Sequence, residues 1–162
     1  MKISFVLNGR QQELNCSSDI PLLQLLIEYT HISSLKPGCS KGSCGNCVVL
    51  LDNKPVLSCL VPAFSVRGRE ITTFEHFQRS RDFSDISRGF TQADSIPCRY
   101  CFASKVMLAH GVISRNVNPS IEDILQAFSL NACTCIEPSQ LAQGVIQAGA
   151  FRGKRRRYAR KK

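Results

Sequence analysis

The sequence of 162 residues contains no apolar stretch that approaches the length of a membrane-spanning helix. Residues 1–9 hold too short an apolar run for a secretory signal and end in the turn pair Asn-Gly. No Ser/His/Asp grouping, phosphate-binding glycine loop or carboxylate pair points to catalysis on this chain. We therefore expect a cytoplasmic chain with no membrane contact and no catalytic residues of its own.

Acidic side chains are missing from residues 151–162, which hold eight of the 21 lysines and arginines and none of the 12 acids. Residues 1–150 thus carry 13 basic and 12 acidic side chains, so most of the net charge of +9 lies in the terminal stretch. Such a charge run is typical of a solvated extension. We expect a flexible basic tail over 151–162 and no nucleic-acid partner, since the preceding residues offer no matching basic face.

Cysteine, in contrast, is abundant, with nine residues in this short chain. In a secreted protein such cysteines form disulfides, whereas in a cytosolic protein they more often bind metal. Because the chain lacks a signal sequence, we interpret them as reduced, metal-binding thiols. Cys16 is the exception: it lies far from the others along the chain, and we expect it to be a small buried apolar residue.

The densest cysteine motif, residues 38–47, has the sequence Gly-Cys-Ser-Lys-Gly-Ser-Cys-Gly-Asn-Cys, and Cys59 follows after eleven intervening residues. The C-x4-C-x2-C…C spacing of Cys39, Cys44, Cys47 and Cys59 is the one that plant-type ferredoxins use to hold a 2Fe-2S cluster. A zinc site is the alternative, although zinc knuckles usually have two C-x2-C pairs. The glycines at positions 38, 42 and 45 would let backbone N–H groups approach the sulfurs closely.

The residues around this motif predict an α+β fold whose N-terminal part is a β-grasp, ferredoxin-like domain over residues 1–76. Residues 3–7 and 11–16 form a predicted hairpin around the strong turn signal Asn8-Gly9. Ser18 and Asp19 before Pro21 indicate the start of a helix with a Leu-rich apolar face. Residues 47–51, 56–59 and 70–74 complete the predicted strands.

The period of the apolar residues changes from two to about 3.6 after a polar stretch at residues 75–82, which we interpret as a linker. The predicted helical segments then start near Phe83, Phe102, Ile121 and Leu141, the third opened by Pro119-Ser120. We expect residues 77–150 to form a small four-helix bundle. Residues 102–110 form one of these segments, and the apolar residues that indicate the other three are Phe83, Ile86, Phe90 and Ala93; Ile121, Ile124, Leu125 and Phe128; and Leu141, Val145 and Ala148.

The helical half carries two tight cysteine pairs, Cys98 with Cys101 and Cys133 with Cys135. Each pair falls between predicted helices, so antiparallel packing could bring all four thiols together at one end of the bundle. By itself, C-x2-C…C-x-C is compatible with iron–sulfur, with zinc or with a redox dithiol. His31, His76 and His110 do not have the spacing of Rieske ligands, and we do not expect them to bind metal.

The order of the eight paired cysteines resembles the small iron–sulfur subunit of the molybdenum hydroxylases, the family of xanthine dehydrogenase and aldehyde oxidoreductase. The likeness runs from Met1 to about Ala150 and includes Ser58-Cys59-Leu60, Ile71-Thr72-Thr73 and Asn131 beside Cys133-Thr134-Cys135. It implies two 2Fe-2S clusters. Cys39, Cys44, Cys47 and Cys59 would hold the cluster farther from molybdenum, and Cys98, Cys101, Cys133 and Cys135 the nearer one.

The resemblance also implies a function and partners. Electrons from a large molybdopterin subunit, xanthine dehydrogenase-like by default, would pass through the nearer and then the farther cluster to a flavin (FAD) subunit or another acceptor, within a hetero-oligomer. The alternatives are a stand-alone ferredoxin-like carrier or redox sensor, and a zinc-stabilised nucleic-acid-binding protein that uses the basic tail.

The chain departs from the family pattern around the second set of cysteines. Family members usually have Gln-Cys-Gly-Tyr-Cys-Thr-Pro-Gly, where this chain has Pro97, Arg99 and Phe102-Ala103-Ser104 around the cysteines. The usual Cys-Arg-Cys-Thr-Gly-Tyr is here Cys133-Thr134-Cys135-Ile136-Glu137-Pro138. The missing Gln approaches the molybdopterin in the family. We predict that Arg99, as a cation beside a cluster, raises its reduction potential, unless the side chain only pairs with a partner carboxylate.

Overall fold

The computed structural model describes residues 1–17, 19–30 and 32–159. Ser18 of the predicted helix cap, His31 and the last three basic residues of the chain lie outside this range. The described elements, in chain order, are β1 Lys2–Leu7, β2 Arg10–Asn15, α1 Leu22–Thr30, β3 Val48–Leu51, β4 Lys54–Leu57, 3-10 helices at Ser58–Leu60 and Ala63–Val66, β5 Glu70–Thr72, α2 Phe74–Phe77, α3 Arg81–Gln92, α4 Phe102–Arg115, α5 Ile121–Phe128 and α6 Pro138–Ala159.

The N-terminal half is a five-stranded mixed sheet with the order β2-β1-β5-β3-β4. Strands β1 and β2 form the predicted antiparallel hairpin, and Asn8 and Gly9 both have positive φ, 53° and 77°, as a type I′ turn requires. Strand β5 pairs in parallel with β1 and antiparallel with β3. Helix α1 buries its leucine face in the same core as β1 and β3.

Three boundaries differ from the sequence prediction. Strand β2 ends at Asn15, so that Cys16 follows the strand, although it is buried as expected. Strand β5 ends at Thr72, and Phe74 begins the short helix α2 instead of ending a strand. The polar stretch 75–82 holds most of α2 and the start of α3, whose N-cap Ser80 accepts a hydrogen bond from the Phe83 N–H.

The helices α3, α4, α5 and α6 pack on one another in the C-terminal half and share one continuous core with the sheet. Helix α4 lies directly on the β3–β4 hairpin, which explains why all four residues of β3 are buried. A Cβ atom on Gly111 of α4 would lie 2.4 Å from the Pro55 Cγ, so the two halves touch with no room for a side chain. Among the described helices, none combines the length and apolarity needed to cross a bilayer.

Helix α5 has the predicted start but a narrower buried face than expected. Ser120 and Asp123 form a capping box, with the Asp123 N–H donating to the Ser120 Oγ. Ile124 and Phe128 are buried, whereas Ile121 and Leu125 are 49% and 37% exposed. The spacing of the apolar residues predicts α5 correctly, but it overestimates how much of the apolar face of α5 is buried by neighbouring helices.

The expected flexible tail is wrong for residues 151–159, because α6 continues without a break to Ala159. Arg152 is fully buried and lies 3.3 Å from the Asp82 carboxylate of α3; it also donates to the Ser114 hydroxyl of α4 at 3.0 Å. Arg155 pairs with Asp82 and, at 2.8 Å, with Asp85. Arg152 and Arg155 therefore hold this end of α6 against α3 and α4. Their partners lie in distant segments of the chain, so the local charge pattern does not predict these contacts.

His110 belongs to this same buried network. The Arg152 guanidinium lies 3.2 Å from its Nδ1, so Nδ1 accepts there and the Nε2–H donates to the Asn53 Oδ1 at 2.9 Å. Burial, followed by the charge of Arg152, lowers the pKa of His110 to about 4. The imidazole is thus neutral near pH 7 and links α4 to the turn between β3 and β4.

Candidate functional site

Four cysteines from the helical half meet in one compact group, which we call the C-terminal quartet: Cys98, Cys101, Cys133 and Cys135. The first pair lies at the start of α4 and the second in the connection between α5 and α6. Their sulfur atoms all lie within 4.8 Å of one another, and three of the separations are 3.5 to 3.8 Å. No disulfide joins these four cysteines, and the packing of α4, α5 and α6 places the two pairs side by side.

The thiols of this quartet differ in burial and in acidity. Cys101 is fully buried, and burial followed by the neighbouring Cys135 and Cys98 thiols raises its pKa. Cys98 is less buried, and the backbone N–H of Cys101 followed by that of Tyr100 lowers its pKa to about 7. The Cys98 N–H in turn donates to the Cys135 sulfur at 3.4 Å. The backbone N–H groups of residues 98–101 thus donate to sulfur, as a thiolate site requires.

The other four cysteines, Cys39, Cys44, Cys47 and Cys59, form the N-terminal quartet, which is more open. Cys39, Cys44 and Cys47 lie on the loop before β3, and Cys59 lies on the 3-10 helix after β4. The N–H groups of Ser43 and Cys44 donate to the Cys39 sulfur at 3.1 and 3.2 Å. Among the described residues, only the C-terminal quartet is as tight as a single-ion site.

The thiols of the N-terminal quartet also differ in acidity. The Ser43 hydroxyl, followed by the N–H groups of Lys41 and Cys44, lowers the pKa of Cys39 to about 6. Burial, followed by the adjacent Cys47 thiol, raises the pKa of Cys59 to about 11. The half-buried Cys39 thiol of the loop therefore favours the thiolate, whereas the buried Cys59 thiol needs a bound cation to lose its proton.

The glycines of the loop make the close approaches that the sequence predicts. Gly42 and Gly45 have positive φ, 83° and 70°, and a Cβ on Gly38 would lie 2.9 Å from the Cys44 sulfur. Gly45 also touches the helical half: a Cβ there would lie 1.8 Å from the Leu130 carbonyl oxygen. The N-terminal loop thus packs directly against the connection that carries Cys133 and Cys135.

Comparisons with known proteins place this chain in a family. The 2Fe-2S binding domain family matches residues 73–146. One subunit of the nicotinate dehydrogenase of Pseudomonas putida is 31% identical over 94% of this chain and 97% of its own length. The nicotinate dehydrogenase small FeS subunit of Eubacterium barkeri is 32% identical over 82% of this chain and 85% of its own length. The chain belongs to the small iron–sulfur subunits of the molybdenum hydroxylases.

The solved structures agree with this assignment. Quinoline 2-oxidoreductase from Pseudomonas putida 86 contains a chain that superimposes with a TM-score of 0.83 at 26% identity, covering 96% of both chains. An iron–sulfur subunit of this family transfers electrons and has no catalytic site of its own. The expectation from the sequence that this chain lacks catalytic residues is confirmed.

The donor atoms of both quartets fit an iron–sulfur group in this subunit. Each quartet offers four sulfur donors with N–H groups aimed at sulfur, the ligand set of a 2Fe-2S cluster. Sulfur separations of 3.5 to 3.8 Å also match two ligands of one tetrahedral zinc ion, about 3.8 Å for Zn–S bonds of about 2.3 Å. With two irons, only the sulfurs bound to different irons would have to lie farther apart than the 4.8 Å that encloses all four here. The matched 2Fe-2S binding domain covers that quartet and favours iron.

Lys105 is a buried residue beside the C-terminal quartet that sequence reasoning missed. Its side chain is only 3% exposed, and its ammonium group donates to the Cys133 carbonyl oxygen at 2.8 Å. No carboxylate among the described residues lies within 4 Å of it. A buried cation is costly unless an anion balances it, and the thiolates of the C-terminal quartet are the nearest candidates. The only signal in the sequence was its position four residues after Cys101, which does not distinguish it from an exposed lysine.

The residues at which this subunit departs from the family pattern differ in position and burial. Pro138 is the first residue of α6, a position where proline costs no hydrogen bond. Pro97 is buried beside Cys98, and Arg99 is exposed. Within the described ranges no carboxylate pairs with Arg99, so an intramolecular ion pair does not occupy it.

Proposed function

We propose that this chain carries two 2Fe-2S clusters and passes electrons from a large molybdopterin subunit to a flavin subunit or another acceptor. The C-terminal quartet would hold the cluster nearer to the molybdopterin, and the N-terminal quartet the farther one. The complex would be a hetero-oligomer in the cytoplasm. In the same proposal residues 1–76 form a β-grasp domain, residues 77–150 a four-helix bundle domain, and residues 151–162 the basic extension.

The observation that supports this proposal most strongly is the close grouping of the four sulfurs of the C-terminal quartet. Cys98 and Cys101 lie more than thirty positions before Cys133 and Cys135, yet their sulfurs lie within 4.8 Å. Burial of Lys105 against the same connection supports a negatively charged group there. A bound 2Fe-2S cluster supplies one-electron redox chemistry. The chain itself supplies sulfur ligands, N–H donors and a balancing cation.

The surface around the two quartets supports docking of a partner. Cys135 is exposed, and exposed apolar side chains flank the cysteine loops, whereas most large apolar residues of the chain are buried. These flanking residues are Leu60, Ile96, Tyr100 and Leu130. Exposed apolar side chains beside a functional site are typical of a protein interface. We therefore place the molybdopterin subunit over the exposed face of the C-terminal quartet.

The partner's substrate is proposed from the names of the relatives. Nicotinate and quinoline are both nitrogen heterocycles, and they appear in the names of relatives that cover nearly the whole chain. Xanthine, the default expected from the family, is a further nitrogen heterocycle. We propose that the partner hydroxylates a compound of this class, with oxygen from water, and leaves two electrons that must depart singly.

Affinity purification of the tagged full chain from its native host tests the proposal. The expected result is a complex with a large subunit that contains molybdenum and oxidises a nitrogen heterocycle. Recovery of an iron-loaded monomer, without a molybdenum subunit, would contradict it and favour a stand-alone ferredoxin-like carrier or redox sensor. A tag at the opposite terminus is the control against a tag that blocks assembly.

A further inference from the structure

The two quartets meet at a junction built from backbone atoms. Residues 130–132 of the α5–α6 connection lie against residues 44–46 of the N-terminal loop. The Ala132 N–H donates to the Cys44 carbonyl oxygen at 3.2 Å. Ala132 is bonded to Cys133, so a single hydrogen bond and a short run of covalent bonds connect a ligand of one quartet with a ligand of the other.

Asn131 fixes this junction with three hydrogen bonds. Its Nδ2 donates to the Gly45 carbonyl oxygen and to the Asn46 Oδ1, both at 3.0 Å. Its Oδ1 accepts from the Cys133 N–H at 3.2 Å. The side chain is 7% exposed, and it uses both of its donors.

Such a buried and satisfied amide holds its neighbours in one arrangement. Hydrogen bonds in a site shielded from water are stronger than exposed ones, and leaving a buried partner unsatisfied is costly. The bonds of Asn131 join Gly45, which lies between two ligand positions of one quartet, to Cys133 of the other. This one side chain therefore links the two loops that carry the quartets, beside the backbone contact between Ala132 and Cys44.

We propose that Asn131 is a positioning residue that sets the separation of the two iron–sulfur sites for electron transfer. The Ala132–Cys44 hydrogen bond is then the shortest bonded route between them. The inference rests on the proposed function, because it requires a cluster in each quartet. In the step one electron leaves the C-terminal site, which is oxidised, and enters the N-terminal site, which is reduced; no bond breaks and no proton moves.

The test replaces Asn131 with aspartate in the full chain. Asn131→Asp keeps an acceptor for the Cys133 N–H and removes both donors, so Gly45 and Asn46 lose their partner. Asn118→Asp, the same chemical change at an exposed site, is the matched control. Asn46→Ala is the milder variant, because it removes only one of the three hydrogen bonds.

We expect both junction variants to bind four irons, as the control does, and to differ from it in three measurements. Hydrogen exchange at the Ala132 amide, which donates to the Cys44 carbonyl across the junction, should be about tenfold faster, because the junction opens more easily once a hydrogen bond of Asn131 is lost. The EPR splitting that arises from coupling between the two reduced centres should change. Electron transfer between the centres should slow at least about tenfold in Asn131→Asp and less in Asn46→Ala.

Four irons with the splitting, exchange and transfer rate of the control would overturn the positioning role and leave the proposed function intact. Two irons, or zinc, in the unsubstituted chain would overturn both. If Asn131→Asp fails to assemble, Asn46→Ala decides: an unchanged splitting and exchange rate in that variant would overturn the proposal.

Discussion

The two cysteine quartets are built in different ways. In the N-terminal quartet, three of the four cysteines lie within nine residues of one loop, and backbone N–H groups of that loop donate to sulfur. In the C-terminal quartet, two short pairs are joined by the packing of α4, α5 and α6. The first site is thus encoded locally, and the second depends on the tertiary fold. The two should respond differently to changes in the scaffold.

Removal of one ligand from each quartet tests this comparison most strongly. We expect Cys101→Ser to lose the iron of the C-terminal quartet and to keep two irons per chain, because the N-terminal loop supplies its own ligands. Cys39→Ser should lose the other pair. Cys16→Ala, at the buried cysteine outside both quartets, is the control and should keep four. Iron determination with EPR is the measurement; loss of all iron from Cys101→Ser would show that the sites are not independent.

The junction between the quartets gives the next largest effect. Gly45 and Gly68 both have φ of 70°, but a Cβ on Gly45 would meet the Leu130 carbonyl at 1.8 Å, whereas a Cβ on Gly68 meets nothing within 4 Å. We expect Gly68→Ala to lower the free energy of unfolding by about 1 kcal/mol, the cost of the backbone angle. Gly45→Ala should cost more than about 4 kcal/mol, because the two loops must separate.

Chemical denaturation of both variants measures these costs. The difference between them isolates the contact at the junction, since the backbone strain is the same. Equal losses of stability would contradict the close packing of the two loops.

Acid should weaken the helical scaffold that the C-terminal quartet needs. The pKa of His110 is near 6.5 in the unfolded chain and about 4 in the folded one, so its contribution is complete above pH 6.5 and is lost as the pH falls toward 4. The loss is up to about 3 kcal/mol, at 1.36 kcal/mol per pKa unit. His110→Gln lacks the titrating group. Unfolding free energies measured between pH 7 and 4.5 should therefore fall more steeply in the wild type, and parallel curves would be inconsistent with the buried neutral imidazole.

Two cationic side chains, Lys105 and Arg99, lie beside cysteines of the C-terminal quartet, and we expect their removal to shift its reduction potential by unequal amounts. Each favours the reduced, more negative state. Lys105→Met should lower the midpoint potential by roughly 100 mV, because its buried charge is poorly screened at an effective dielectric constant of about 20. Arg99→Gly should lower it by about 25 mV, because Arg99 is exposed and water screens its charge.

Redox-monitored EPR separates these effects. Lys105 contacts Cys133 and Arg99 is bonded to Cys98, both in the C-terminal quartet, so the signal of the N-terminal quartet is the internal control. A midpoint that stays constant or rises in Arg99→Gly would contradict the sequence prediction, and a larger shift from Arg99 than from Lys105 would contradict the burial argument.

The features that the sequence predicts correctly are local ones. The hairpin turn at Asn8 and Gly9 and the capping box at Ser120 depend on neighbours within a few residues. The continuation of α6 through Arg152 was not predictable from the charge run, because its stabilising partners Asp82 and His110 lie on other helices.

The same distinction holds for the candidate sites. The spacing of the N-terminal quartet is visible in one stretch of sequence. The sequence also predicts that the four cysteines of the helical half come together. It does not predict that Lys105 contacts Cys133 or that Asn131 contacts Gly45. A polar residue close to a ligand position in the sequence was the only available signal, and many exposed residues share it.

Metal and sulfide analysis of the anaerobically purified full chain tests the central claim most directly. The account predicts four irons and four acid-labile sulfides per chain, little zinc, and two distinct EPR signals after reduction. A fully loaded preparation with two irons and one signal, or with zinc in the C-terminal quartet, would contradict it.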